Sequence, residues 1–111
     1  MATLKGTYTS VPAAANASTY TEIGRIQASA TSAKGKIAEI IVSNEGANDV
    51  NYTIKLNRPS EENPVQINPE TTLAAGDVHI KPMSTFIQGG DILEINATGA
   101  VKTVVSIIEL W

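Results

Sequence analysis

Val50-Asn51-Tyr52-Thr53-Ile54-Lys55-Leu56-Asn57 alternates apolar and polar residues without an exception. In an extended chain successive side chains leave opposite faces, so Val50, Tyr52, Ile54 and Leu56 share one face and Asn51, Thr53, Lys55 and Asn57 the other. A helix would scatter the same set around its axis. The stretch is therefore a strand with one face on a core and one on water. Upstream, Ile37-Ala38-Glu39-Ile40-Ile41-Val42-Ser43 is β-branched and nearly continuous, the pattern of a strand covered along most of its length. Between the two, Asn44-Glu45-Gly46-Ala47-Asn48-Asp49 is a cluster of turn formers long enough for a hairpin loop, so 37–43 and 50–57 are expected to pair antiparallel.

The same period continues outward. Arg58-Pro59-Ser60-Glu61-Glu62-Asn63-Pro64 cannot sit in a central strand and reads as a surface loop. Val65-Gln66-Ile67 adds a short strand that Pro69 closes, and Thr71-Thr72-Leu73 begins another. An internal echo follows: Leu73-Ala74-Ala75-Gly76-Asp77-Val78 and Ile87-Gln88-Gly89-Gly90-Asp91-Ile92 both place a Gly-Asp turn before a strand. The launched strands are 78–81 and 91–97, and Thr98-Gly99-Ala100 turns the chain into a last strand from Val101 to Leu110. That strand is β-prone and nearly uncharged, so it must be covered, either as a central strand or by a neighbouring subunit that takes in Trp111 as well. At the other end, residues 6–21 are small and polar, and Pro12, Asn16, Ser18 and Thr19 leave too few helix formers around the three alanines for nucleation. Seven to eight short strands with turn signals between them define an all-β protein, an antiparallel β-sandwich of Ig-like or jelly-roll-like kind. The expected division is an extended N-terminal arm over 1–19 and a β-sandwich domain over 20–111.

Composition sets the outer limits. A chain of 111 residues and 11.7 kDa holds one ordinary domain, and it can bury a core unaided, since domains below ~40 residues are those that usually need disulfides or metals. The absence of cysteine removes disulfide scaffolds, thiolate metal sites, iron–sulfur clusters and thiol nucleophiles. Eight basic residues against eleven acidic ones give a net charge of −3, and the basic ones are scattered from Lys5 to Lys102, so no nucleic-acid partner is expected. No apolar run approaches the ~20 residues of a membrane span, and Met1-Ala2-Thr3-Leu4-Lys5-Gly6 lacks the apolar core of a signal peptide. A domain made in the cytoplasm, with no membrane partner, is the expectation.

Chemistry-bearing residues are sparse. His79 is the sole histidine, and with Asp77 alone on its face it cannot fill a metal site, which needs three or more convergent ligands; it reads as a surface-strand residue. Glu61 and Glu62 are adjacent in a proline-bounded loop, where a solvated charge run is the ordinary reading rather than the paired carboxylates of a glycosidase. Asp77 and Asp91 follow glycine and read as turn residues ahead of any calcium role. There is no nucleophile elbow, phosphate-cradling loop or dinucleotide fingerprint, so no catalytic residue, metal or cofactor is expected. The Asn-x-Ser/Thr triplets at Asn16, Asn51 and Asn96 are what so Ser/Thr-rich a chain yields by chance. A glycan platform would have to come from Tyr8, Tyr20, Tyr52, Phe86 and Trp111, of which Tyr52 and Phe86 are assigned to the core.

The order of Tyr8-Thr9-Ser10-Val11-Pro12, Ile40-Ile41-Val42-Ser43-Asn44, Val50 to Leu56, Leu73-Ala74-Ala75-Gly76-Asp77, Phe86 to Ile95 and Ala97-Thr98-Gly99-Ala100-Val101 resembles the small β-sandwich accessory proteins of tailed-bacteriophage virions, the capsid decoration type among them. Together these pieces span most of the chain; the polar stretch 13–36 is longer than the resemblance implies. The resemblance implies a non-enzymatic virion protein that binds the major capsid protein or other virion subunits. It also implies homo-oligomers, trimers among them. Tyr8, Val11, Pro12 and Trp111 are the candidate interface residues. An adaptor at the neck, tail or fibre and a carbohydrate-binding module are the alternative readings. In the decoration reading the arm orders on contact, so that truncating it weakens attachment and leaves the sandwich folded.

Overall fold

The computed structural model describes residues 2–26, 34–58 and 64–110. Among them the chain forms β1 (Ala2–Val11), β2 (Thr21–Gly24), β3 (Lys34–Ser43), β4 (Val50–Asn57), β5 (Val65–Leu73), β6 (Val78–Gln88), β7 (Ile92–Ala97) and β8 (Val101–Leu110). Two four-stranded sheets result, with orders β1-β8-β3-β6 and β2-β7-β4-β5. Every pairing is antiparallel. The pairs β4–β5, β3–β6, β2–β7 and β1–β8 nest like rungs of one long two-stranded ribbon, and rolling that ribbon up adds β3–β8 and β4–β7. This is the jelly-roll arrangement of an antiparallel β-sandwich.

The decisive strand behaves as its alternation requires. Val50, Tyr52, Ile54 and Leu56 are all buried, and their polar neighbours are half-exposed. They face Ile37, Ile40 and Val42 of β3 and Val105 and Ile107 of β8 across the sandwich, in a single core of buried residues. Burying one such side chain contributes ~1.5–3 kcal/mol.

β3 and β4 are not a hairpin, contrary to the expectation for 37–43 and 50–57. Both edges of β3 are taken, by β6 and β8, and β4 lies in the other sheet. The loop Asn44 to Asp49 crosses between sheets, held by the buried Asn44 side chain. Its amide donates to the carbonyls of Asn48 (2.8 Å) and Leu73 (3.1 Å), and its Oδ1 accepts from Gly46 N–H (3.0 Å). An alternating pattern fixes which residues share a face, but two strands with buried inner faces satisfy it equally by stacking face to face.

The N-terminal segment is extended, and from Ala2 to Val11 it is part of the sandwich: β1 pairs with β8 along its whole length. What remains of the arm over 1–19 is the connection from Pro12. There Asn96 donates to the carbonyls of Asn16 (3.0 Å) and Thr19 (2.7 Å), tying that connection to β7. The two stretches read around Pro69 are one strand, β5, whose pairing with β4 is irregular there. β6 likewise runs on through Pro82 to Gln88; both prolines lie in edge strands, where a missing donor is tolerated. The loop containing Glu61 and Glu62 lies outside the described residues.

The two Gly-Asp turns are the same turn built twice. Asp77 N–H donates to Ala74 O (3.0 Å) and Asp91 N–H to Gln88 O (3.1 Å). Gly76 and Gly90 stand at the third position with φ of 75° and 91°, as a type II turn demands.

Candidate functional site

The outer faces of the two sheets differ in chemistry. Reading across β2, β7, β4 and β5, one outward rung is Glu22–Glu94–Lys55–Gln66, and Asn96–Thr53 and Asn51–Thr72 lie beside it. This face is polar throughout these rungs. Lys55 Nζ sits 4.4 Å from the centre of the Tyr20 ring, and Arg25 pairs with Glu22.

Across β1, β8, β3 and β6 the outward rungs are Tyr8–Val104–Ile41–Ile80 and Leu4–Ile108–Lys36–Phe86, separated by Gly6–Ser106–Glu39–Pro82. Leu4 is 71% exposed, Phe86 70%, Tyr8 61% and Ile80 59%. The exposed large apolar side chains of both edge strands thus point outward, while Val11 of β1 and Met83 and Ile87 of β6 face the core. In β6 the inner positions are held by His79, Lys81, Met83 and Thr85, all half-buried, and Val78, Ile80 and Phe86 face water. Phe86 is therefore a surface residue and not the core residue expected, whereas Tyr52 is core.

His79, read from sequence as a surface residue, points inward. Its Nδ1 lies 2.8 Å from the Tyr52 hydroxyl, with ring centres 5.8 Å apart. That contact satisfies a phenol whose pKa burial pushes up. Among the described residues no group of three or more His, Asp or Glu side chains could hold a metal ion. Asp91 is buried, and its Oδ2 accepts from Gln88 N–H (2.9 Å) and Arg58 Nε (3.1 Å), while Arg58 Nη2 donates to Phe86 O (3.1 Å). Its role is to lock the β6–β7 turn. Asp77 Oδ1 accepts from Val78 N–H (2.9 Å), a turn role as expected.

Of the candidate interface residues, the structure brings three to one end of the β1-β8-β3-β6 sheet. Val11 and Pro12 line an open recess of about 570 Å³ together with Ser43, Gly46 and Val101. Lys102 and Glu45 stand on its wall, joined at 2.9 Å. The Glu45 hydrogen bond and charge raise the Lys102 pKa, and Tyr8 adds to the rise. Tyr8 leads from that recess onto the apolar outer face. Trp111 lies outside the described residues. Sequence reasoning missed Leu4, Ile80 and Phe86 as surface residues; the signal was present in β6, where the apolar positions alternate with a histidine, a lysine and a threonine.

No protein-family model matches this chain, and no curated protein matches it.

Proposed function

We propose that this protein is a non-enzymatic structural component of a tailed-phage virion, a decoration protein that binds the assembled shell of major capsid protein through the outer face of its β1-β8-β3-β6 sheet. The observation that carries the reading is the pair of outward rungs Tyr8–Val104–Ile41–Ile80 and Leu4–Ile108–Lys36–Phe86, apolar but for Lys36, set against the polar rungs of the opposite face. Large apolar side chains grouped on one face of a sheet are the kind of surface that marks interaction sites. Taking an exposed isoleucine or phenylalanine fully out of water contributes ~1.5–3 kcal/mol, so a few such residues offset the freedom lost on docking. The resemblance in the order of strand and turn motifs supports the virion as the setting. The reading assigns no chemical step to any residue.

Binding of the purified protein to shells that lack it tests the face directly. Ile80→Lys and Phe86→Lys change side chains that point away from the core, so melting should hold while affinity falls by about tenfold or more. Thr53→Lys on the polar face should bind as the parent does. Equal binding by all three would overturn the assignment.

A further inference from the structure

Each sheet ends in two edge strands, and among the described residues one of the four edges, that of β1, has neither a proline nor a short length to guard it, Lys5 being its one charged residue. β6 carries Pro82, β5 carries Pro69, and β2 has 4 residues. Prolines and short lengths are the usual devices that stop edge strands from pairing with other chains. β1 is a 10-residue strand without proline, and none of the described residues pairs with its outer edge.

We propose that β1 pairs antiparallel with β1 of a second copy about a two-fold axis through Gly6, joining the two β1-β8-β3-β6 sheets into one continuous sheet. This goes beyond shell binding and uses the strand's edge rather than its face. A two-fold axis normal to the sheet keeps both outer faces on one side, so outward residues meet outward residues. An axis through Lys5 sets that lysine against its own copy, and like charges directly opposite are destabilising. An axis through Thr7 sets Tyr8 against Gly6 and Leu4 against Ser10. The axis through Gly6 sets Leu4 of each copy against Tyr8 of the other, twice, and Lys5 against Thr7. Axes nearer either end leave much of the strand unpaired.

Three further observations fit this register. Leu4 and Tyr8, 71% and 61% exposed, are the large apolar residues of β1 and would cover each other. A side chain on Gly6 would meet nothing within 4 Å, so the strand is open at the axis. The rung Tyr8–Val104–Ile41–Ile80 would continue into Leu4–Ile108 of the second copy, making one apolar band. The same register sets Ser10 opposite Ala2 of the second copy, so the recess beside Ser10 and Val11 opens at the seam.

Sedimentation equilibrium on the full chain should give twice 11.7 kDa. Leu4→Lys combined with Tyr8→Lys places ammonium groups opposite one another and should raise the dimer dissociation constant by at least about tenfold. Leu4→Lys combined with Tyr8→Glu places opposite charges at the same positions and should recover dimerisation, which a merely misfolded variant would not do. Gly6→Cys, in a chain with no other cysteine, should give a cross-linked dimer on oxidation. A parent chain that stays monomeric at every concentration would overturn the proposal. So would a charge-paired variant that associates no better than the doubly lysine-substituted one. Neither result bears on shell binding, which is read separately on particles.

Discussion

Asp91 shows how one buried charge is made tolerable. The residue is 2% exposed, yet its carboxylate receives a guanidinium and a backbone N–H. Asp91→Ala would leave Arg58 Nε and the Gln88 N–H without their acceptor and should cost about 1–3 kcal/mol, read from urea midpoints. Thr103 is the opposite case: its Oγ1 is buried with no hydrogen-bond partner among the described residues. Thr103→Val, which replaces that hydroxyl with a methyl group, should stabilise the fold by ~1 kcal/mol in the same assay. Burial raises the Glu94 pKa; Lys55 opposes the rise and Glu22 adds to it. A carboxyl with a raised folded-state pKa favours folding fully at pH below its unfolded value, and that contribution is lost as pH rises through the folded value. Glu94→Gln should therefore stabilise the protein at pH 7, by less than about 1 kcal/mol because the group is largely solvated, and give no gain in acid. Midpoints that shift equally at both pH values would contradict this.

At the scale of strands, alternation was legible and its direction was not. The β4 pattern identified a strand and its buried face because its polar face is uniformly polar. β6 starts with the same period of two, Val78-His79-Ile80-Lys81, yet there the apolar set, with Phe86 further on, faces outward, and of its apolar residues only Met83 and Ile87 turn in. Sequence alternation gives two faces, and which one is inside depends on what the rest of the chain stacks against it. The two Gly-Asp turns were legible because positive φ at Gly76 and Gly90 is a local demand. The partners of β3 and β4 were not, since nesting of a rolled ribbon is set by contacts between residues far apart in sequence. β1 was hidden for a related reason: its inward positions, Lys5, Thr7 and Thr9, carry no hydrophobic signal, and only Val11 is buried. Deleting residues 2–11 should therefore do more than weaken attachment. It strips β8 of a neighbour over its whole length and exposes a β-prone edge. The expected outcome is insoluble protein or loss of the folded circular dichroism spectrum; a folded, soluble truncated sandwich would contradict the placement of β1. Gly99 offers a smaller test, because a Cβ there would lie 2.8 Å from Val50 Cγ2. Gly99→Ala should cost about 1–3 kcal/mol through overpacking.

The molecule as a whole is a slab of 42 × 28 × 19 Å with unlike faces. One broad face carries polar rungs; the other carries one rung that is apolar from edge to edge, Tyr8–Val104–Ile41–Ile80, and a second interrupted only by Lys36. A slab of this kind suits a layer on a larger surface, with its apolar face down and its polar face out, and a self-pairing edge would tile such a layer in twos. Its surface was harder to read than its core, because core burial is enforced by folding, while nothing in the folding of one chain dictates which apolar residues stay outside. The claim that the protein acts by lying on a shell is tested most directly by the quantitative protein composition of purified phage particles. The account predicts this chain at a fixed copy number proportional to that of the shell subunit, falling when Ile80 is replaced by lysine. Particles that lack the chain altogether would contradict it.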